Sequence, residues 1–412
     1  MKILGLITEY NPFHNGHKYH LEESIKKTNA THTIAVMSGN FLQRGVPSLT
    51  NKWLRAEMAV KEGVDLVIEL PTIYACNSAE FFAFGAISLL NNLGIVDAIS
   101  FGSEIGQISP LNEVAKILVK EPTEYQNYLK EFLAEGISFP RAREKALGKY
   151  CSDESLEKVL HSPNNILGIE YMKSLIKCNS KITPHTITRI KAPYSSTNIS
   201  SNICSATAIR TYITQEDYDL NTLKRVIPKN SFKVFEKSIG SGFSPIYYTH
   251  FEKILLYKLR TLSKVELKKV FDINEGLENR IKEMAVKATD LQSLLQGLKT
   301  KRYTLTRIQR IFAHILLGIT KEHILMFNRY GGSQYARLLA FSTKGTEILK
   351  RLKKSSKIPI LTNINKQILD HPMAKEMLSF DILATNIYNL AYPNSESRKG
   401  GSDYYHSPYF LK

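Results

Sequence analysis

The sequence predicts an α/β protein, with a doubly wound parallel sheet in its first half and a mainly helical, basic region behind it. Three observations carry this reading. Short apolar runs with strand character alternate with helix-length segments through the first 105 residues. The turn after the first of those runs holds His14-Asn15-Gly16-His17, where a strand ends and a helix begins, the place at which α/β proteins put their chemistry. The charge is also divided unevenly. Of a formal net charge of +17, residues 246–412 supply +14 (28 Lys and Arg against 14 Asp and Glu), and residues 1–245 supply +3 (27 against 24). A near-neutral front half joined to a basic rear half suggests a small-molecule site followed by a surface for a polyanion.

In chain order, Lys2 to Leu6 reads as the first strand, and a charged helix begins near Leu21, Ser24 and Ile25. His32 to Met37 is the second strand, with a loop from Ser38 to Phe41. Lys52 to Lys61 reads as a helix, and Asp65 to Leu70 as a third strand stopped by Pro71. Ser78 to Asn92 carries Phe81, Phe82, Ala86 and Leu89 and reads as a buried helix. Val96 to Phe101 is a fourth strand that ends at Gly102-Ser103-Glu104. Residues 108–160 are helical and charged, with Tyr125, Tyr128 and Phe132 at helical spacing. Ser162 is placed to cap a helix with Pro163 in its first turn and Leu167, Tyr171 and Leu175 along one side. Thr183 to Ile190 is a fifth strand. A polar loop, Lys191 to Ser201, then leads to a helix opened by Ser205-Ala206-Thr207-Ala208-Ile209-Arg210.

Pro228, Gly240, Gly242 and Pro245 mark a connecting region, 216–245, between a unit at 1–215 and another at 246–412. In the latter, residues 247–262, 276–297 and 304–318 read as amphipathic helices. The tail from Pro393 to Lys412 is rich in Ser, Gly and Tyr, and is either an ordered cover or a loose end.

Composition narrows the class. Hydrophobic residues are 43% and charged residues 23%, as in ordinary globular proteins, and no apolar run approaches the roughly 20 residues needed to cross a bilayer. The start does not read as a cleavable signal, so a cytoplasmic location is expected. Cys76, Cys151, Cys178 and Cys204 form no CxxC pair, which argues against a disulfide framework or a zinc knuckle and for free thiols.

His14 and His17 are the first candidates for chemistry. Attack on a nucleotide phosphate builds negative charge on the phosphoryl oxygens and on the leaving group, and imidazole N–H donors at a helix amino end stabilise it. Thr8, Asn11 and Asn15 add polar groups, and Gly16 lets the backbone approach a ligand without a Cβ. Downstream, Lys299, Lys301, Arg302, Arg307 and Arg310 surround Tyr303. Arg307 and Arg310, three apart on a helix from about Thr304, share a face suited to phosphates, with an aromatic beside them for a base. Arg351, Lys353, Lys354 and Lys357 form a second basic cluster.

His14-Asn15-Gly16-His17 resembles the signature of the nucleotidyltransferases that share a Rossmann-like fold with class I aminoacyl-tRNA synthetases. Ser205 to Arg210 is similar to the second signature of that superfamily, with Ala206 in place of a serine. The likeness narrows with Thr8-Glu9-Tyr10-Asn11-Pro12-Phe13 before the histidines, Met37-Ser38-Gly39-Asn40-Phe41-Leu42-Gln43-Arg44-Gly45, and Phe101-Gly102-Ser103-Glu104. Together these resemble the tRNA(Met) cytidine acetate ligase family. That resemblance implies activation of acetate with ATP to acetyl-adenylate, then transfer of the acetyl group to the exocyclic amine of the wobble cytidine of elongator tRNA(Met). It implies ATP contacts at Ile7, Thr8, Asn11, Phe13, His14, Asn15, Gly16, His17 and His20, and at Gly102, Asn164 and Arg189, with Ser205, Thr207 and Arg210 on the β- and γ-phosphates. It gives the basic residues of 299–310 a role in tRNA binding. Magnesium is expected with ATP on general grounds, with no protein carboxylate set visible for it. Two rival readings are a cofactor-biosynthesis adenylyltransferase, which gives no reason for the basic rear half, and a non-catalytic RNA-binding protein on the same scaffold, against which the intact histidines speak.

Overall fold

The computed structural model describes residues 1–152, 156, 159–190, 202–215, 217–274, 276–364 and 369–412. The polar loop expected at Lys191 to Ser201 lies outside them. One mostly parallel sheet organises the chain. Its strands are β1 (Ile3–Thr8), β2 (His32–Ser38), β3 (Leu66–Leu70), β4 (Ala98–Ser103), β5 (Thr183–Thr188), β6 (Ala336–Ser342), β7 (Ile360–Leu361) and β8 (Tyr409–Leu411). They lie in the order β5-β4-β1-β2-β3-β6-β7, with β8 also paired to β6. The first five are parallel, in registers such as Thr8 opposite Met37, Leu4 opposite Ala98, and Ala98 opposite Thr183. The chain builds outward from β1 to β2 and β3, then returns to the other side of β1 for β4 and β5. The crevice at that reversal, between the carboxyl ends of β1 and β4, is where such sheets bind ligands.

Strand alternation builds two cores. Ile34 and Val36 join Ile3 and Ile68 on one face, beneath the helices Ala79–Leu93 and Pro163–Lys177. Ala35 and Met37 join Leu4 and Leu6 on the other, beneath Asn15–Thr28, Lys52–Lys61 and Ala206–Ile213. The first core runs on without interruption into the helices of the rear half, through Leu255, Leu294, Ile311 and Phe327.

The rear half is mainly helical, and it also contributes three strands that were not anticipated. β6 joins β3 antiparallel, with Ile68 opposite Leu338. Its sequence, Ala-Arg-Leu-Leu-Ala-Phe-Ser, is buried from Ala336 to Ala340, and a strand buried on both sides has no alternation to betray it. The helix expected over 276–297 is two, Leu277–Lys287 and Leu291–Leu298. The second starts where the Asp290 carboxylate accepts the Ser293 N–H at 2.7 Å. The tail is ordered: β8 pairs with β6, and Asp403 is buried.

Asp403 belongs to a buried ionic quartet that joins front to rear. Lys52 Nζ lies 2.9 Å from both Glu69 Oε1 and Asp403 Oδ1. Arg337 reaches Glu69 Oε2 at 3.2 Å and Asp403 Oδ1 at 2.8 Å. Two cations face two carboxylates, so the charge balances within the cluster. The Trp53 indole covers both cations and stacks on His406.

Candidate active site

The site grows from the end of β1. His14 caps the helix Asn15–Thr28: its Nδ1 accepts the Gly16 N–H at 3.0 Å, and its own backbone N–H donates to His17 Nδ1 at 3.3 Å. The two rings stack with centroids 3.8 Å apart. A neutral imidazole whose Nδ1 accepts carries its proton on Nε2. The local fold therefore makes both histidines Nε2–H donors. Gly16 is required here for a reason other than ligand approach: a Cβ on it would lie 2.8 Å from His14 Cε1, so the space belongs to the His14 ring. Tyr10 and Phe13 pack behind His17, with centroids 5.0 and 5.7 Å away.

Burial first, and then the nearby Arg189 and Arg210 guanidinium groups, push the His14 imidazole down to about 3. Burial, then His14, His20 and the same arginines, hold His17 well below the usual imidazole range. Burial and then Arg189 lower His20, one turn further on, to about 4. All three are neutral near pH 7, in a positive field. An entering phosphate would relieve that field.

Each arginine is held by neutral oxygens. Arg210 Nη1 donates to the Asn11 carbonyl at 2.9 Å and Nη2 to Thr207 Oγ1 at 3.2 Å. Ser205 caps the helix Ala206–Ile213 by accepting the Ala208 N–H. Thus the segment Ser205 to Arg210 sits directly on the turn that carries the histidines. Arg189, just past β5, donates to Asn164 Oδ1 at 3.4 Å, and a Cβ at Gly102 would lie 3.2 Å from the Arg189 side chain. Gly102, Asn164 and Arg189, weak candidates singly, form one cluster. Glu104 completes it by accepting from Asn164 Nδ2 at 2.6 Å and from the Asn165 N–H at 3.0 Å.

Not every expected contact has a side chain to offer. Phe13 is fully buried behind His17. Asn15 spends its amide on the carbonyls of Asn202 and Arg225, at 2.8 and 2.9 Å. Asn11 Oδ1 accepts the Leu49 N–H at 2.7 Å, which leaves only its Nδ2, buried and without a hydrogen-bond partner, for a ligand. These three shape the turn. Ile7 and Thr8 close β1 at its crevice end, and the Thr8 hydroxyl is buried. Among the described residues, no group of three or more His, Cys, Asp or Glu is placed to hold a metal.

The two basic clusters stand in different places. The helix Leu305–Leu317 is locked to the crevice end of the sheet. A Cβ on Gly45, in the loop after β2, would fall 2.4 Å from the Gln309 carbonyl oxygen, and the His314 ring bonds the Cys76 carbonyl at 2.8 Å. Lys299, Lys301 and Arg302 are exposed near its start. Arg307 and Arg310 do share a face, but they are turned toward their own chain. Arg307 donates to the Asp272 carbonyl at 2.9 Å and to Asn274 Oδ1 at 2.8 Å, and Arg310 lies 3.9 Å from the Asp272 carboxylate. Tyr303 is buried beneath Arg307, so its ring is not offered to a base. Arg351 instead reaches the Met1 carbonyl, before β1, which puts that cluster at the opposite end of the sheet.

The sequence reading passed over Arg55. Wholly buried, it donates to the carbonyls of Glu9, Ser38, Gly39 and Thr50, and so ties the ends of β1 and β2 together. Burial lowers its guanidinium to about 10. No motif marks such a residue.

A HIGH Nucleotidyl Transferase family model matches residues 1–403. A tRNA(Met) cytidine acetate ligase of Alkaliphilus metalliredigens is 47% identical over 100% of this chain and 99% of its own length. The enzyme of the same name from Clostridium perfringens is 44% identical, with 100% of both chains covered. The chain belongs to the tRNA(Met) cytidine acetate ligase family. A solved structure of a member, Thermotoga maritima TmcAL bound with alpha-thio ATP, superposes with a TM-score of 0.93 at 38% identity over 100% of both chains. The family's fold thus holds from the crevice to the ordered tail.

Proposed function

We propose that this chain activates acetate with ATP and transfers the acetyl group to the exocyclic amine of the wobble cytidine of elongator tRNA(Met). In the first step an acetate oxygen attacks the α-phosphorus, the new C–O–P bond forms, and the bond to pyrophosphate breaks. In the second the cytidine N4 attacks the acetyl carbonyl. The C–N bond forms, AMP leaves, and the amine proton is released. The observation that carries this reading is the stacked His14–His17 pair, with both Nδ1 atoms occupied by backbone N–H groups. Two neutral Nε2–H donors, set beside Arg189 and Arg210, meet the charge that develops during adenylyl transfer. They need give up no proton to do so. Arg210, Thr207 and Ser205 hold the outer phosphates, while Gly102, Asn164 and Arg189 receive the nucleoside side of ATP. A magnesium ion would be held mainly by the phosphates, since among the described residues no group of three or more His, Cys, Asp or Glu is placed to hold one.

The acceptor end falls to the basic face around Lys299, Lys301 and Arg302. Arg307 and Arg310 brace that face, and the helix that carries them packs on the loop after β2 at the crevice end of the sheet. A wobble base lies in a single-stranded loop and can be turned out for chemistry at lower cost than in a duplex. The test is incubation of the purified chain with labelled acetate, ATP and an unmodified elongator tRNA(Met) transcript. The label should appear as N4-acetylcytidine at the wobble position, only when both ATP and acetate are present. Label-free tRNA under those conditions would contradict the proposal.

A further inference from the structure

The loop after β2 is fixed in a way that the adenylation step does not explain. It makes a tight turn, with the Leu42 N–H donating to the Val46 carbonyl at 2.9 Å and the Gly45 N–H to the Leu42 carbonyl at 2.8 Å. Three anchors hold it. The Gln43 backbone N–H donates to Glu9 Oε1 at 2.9 Å, which ties the loop to the end of β1. Gln43 Nε2 donates to the Asn77 carbonyl at 2.9 Å. Gly45, at φ +77, sits so close to the helix Leu305–Leu317 that a Cβ would lie 2.5 Å from Arg310 Cα. Between these anchors Arg44 is exposed, and its charge is felt at Arg210, whose own guanidinium is lowered chiefly by burial.

Strand order says which side of the crevice this is. ATP is read into the space between β1 and β4, with Arg189 beyond β4. Arg44 follows β2, on the other side of β1, with the basic rear helix on its outer flank. From one flank to the other the positive groups run Arg189, Arg210 beside the neutral histidines, Arg44, and then Lys299 to Arg302. Arg44 thus lies on a loop held between the end of β1 and the helix Leu305–Leu317, which the exposed basic residues precede.

We propose that Arg44 grips the sugar-phosphate backbone of the single-stranded RNA beside the reactive base, and so sets the cytidine amine against the activated acyl group. The proposal rests on the tRNA-acetylating function proposed above. A guanidinium on a triply anchored loop loses little freedom on binding, and it offers a planar fork that suits a phosphodiester. It is a positioning residue; the acyl transfer itself needs no proton from it.

The test compares the full chain with Arg44→Gln and Arg44→Lys, using an unmodified elongator tRNA(Met) transcript. Because Arg44 is exposed, both variants should keep the wild-type unfolding midpoint. For Arg44→Gln, KM for tRNA should rise at least about tenfold. The slope of log Kd against log salt should fall by about 0.7, the value for one phosphate contact on a single strand. Acetate-dependent exchange of pyrophosphate into ATP without tRNA should stay within about twofold of wild type. Arg44→Lys should recover the salt slope and part of the KM. Unchanged KM and slope in Arg44→Gln would overturn the inference. So would loss of exchange, which would place Arg44 on the triphosphate. If the wild-type chain itself fails to acetylate the transcript, the functional reading falls instead, and the salt slope still reports whether Arg44 touches RNA.

Discussion

Two polar clusters lie on either side of β2, one wholly buried and one open to the crevice, and they differ in one respect that separates function from architecture. Lys52, Glu69, Arg337 and Asp403 form a closed set of two cations and two carboxylates, in mutual contact at 2.8–3.2 Å. Its charges balance within the set. His14, His17, Arg189 and Arg210 form an open set: the hydrogen-bond partners of the two arginines are neutral oxygens, and the two imidazoles are held neutral by burial in the field of those arginines. A positive field that opens on the crevice, with its arginines bonded to neutral oxygens, is a receptor for an anion. The closed set fastens the tail and β6 to the front of the molecule, so that the open set has a rigid floor.

The contrast can be broken from either side. The largest effect is expected at the open set. His17→Ala and His14→Ala should each lower acetate-dependent pyrophosphate exchange per folded molecule by about 10²–10³, as loss of one preorganised donor does, and loss of the capping bond each makes should cost about 0.5–2 kcal/mol of stability. At the closed set the reverse is expected. Asp403→Ala leaves Lys52 and Arg337 undercompensated in the interior and should cost about 3–5 kcal/mol of stability, read by denaturant unfolding, with exchange per folded molecule retained.

A smaller effect follows from pH. The folded imidazoles of His14 and His20 titrate at about 3 and 4, and His17 is likewise lowered. Above about pH 6.5 both folded and unfolded chains carry them neutral. As pH falls below that, the unfolded chain takes up protons that the folded chain refuses, so stability should decline from about pH 6.5 downward toward pH 3–4. Ring-proton NMR of the ligand-free protein should show these three histidines silent between pH 8 and 5; a midpoint near 6.5 for His14 or His17 would contradict the neutral-donor reading. The smallest effect is expected from Arg351→Ala with Lys353→Ala. That cluster sits by Met1, at the far end of the sheet, and KM for tRNA should stay within about twofold of wild type.

How much of this was legible in the sequence follows the physics of each element. The five parallel strands and the turn at His14 were readable because apolar runs and glycines are local signals; the helix, however, begins at Asn15 and not near Leu21, because the His14 ring itself caps it. The grouping of Gly102, Asn164 and Arg189 was not visible from composition or spacing, since it depends on β4 lying beside β5 and on the start of the helix Pro163–Lys177 meeting both. Resemblance supplied those three residues, and the fold supplied the reason. β6 was missed because a doubly buried strand lacks alternation, and the order of the tail was undecidable because it rests on Asp403, one carboxylate among many in sequence. Arg307 and Arg310 were read correctly as sharing a helix face. Their inward turn depends on the Asp272 carbonyl and carboxylate and the Asn274 amide, which no helical periodicity reports.

The most direct test of the open set as an ATP-activating receptor is acetate-dependent exchange of labelled pyrophosphate into ATP, run without tRNA on wild type, His17→Ala and Asp403→Ala. Exchange should be present in wild type and in the folded fraction of Asp403→Ala, and absent or reduced at least about a hundredfold in His17→Ala. Full exchange in His17→Ala, or none with acetate in wild type, would contradict the account.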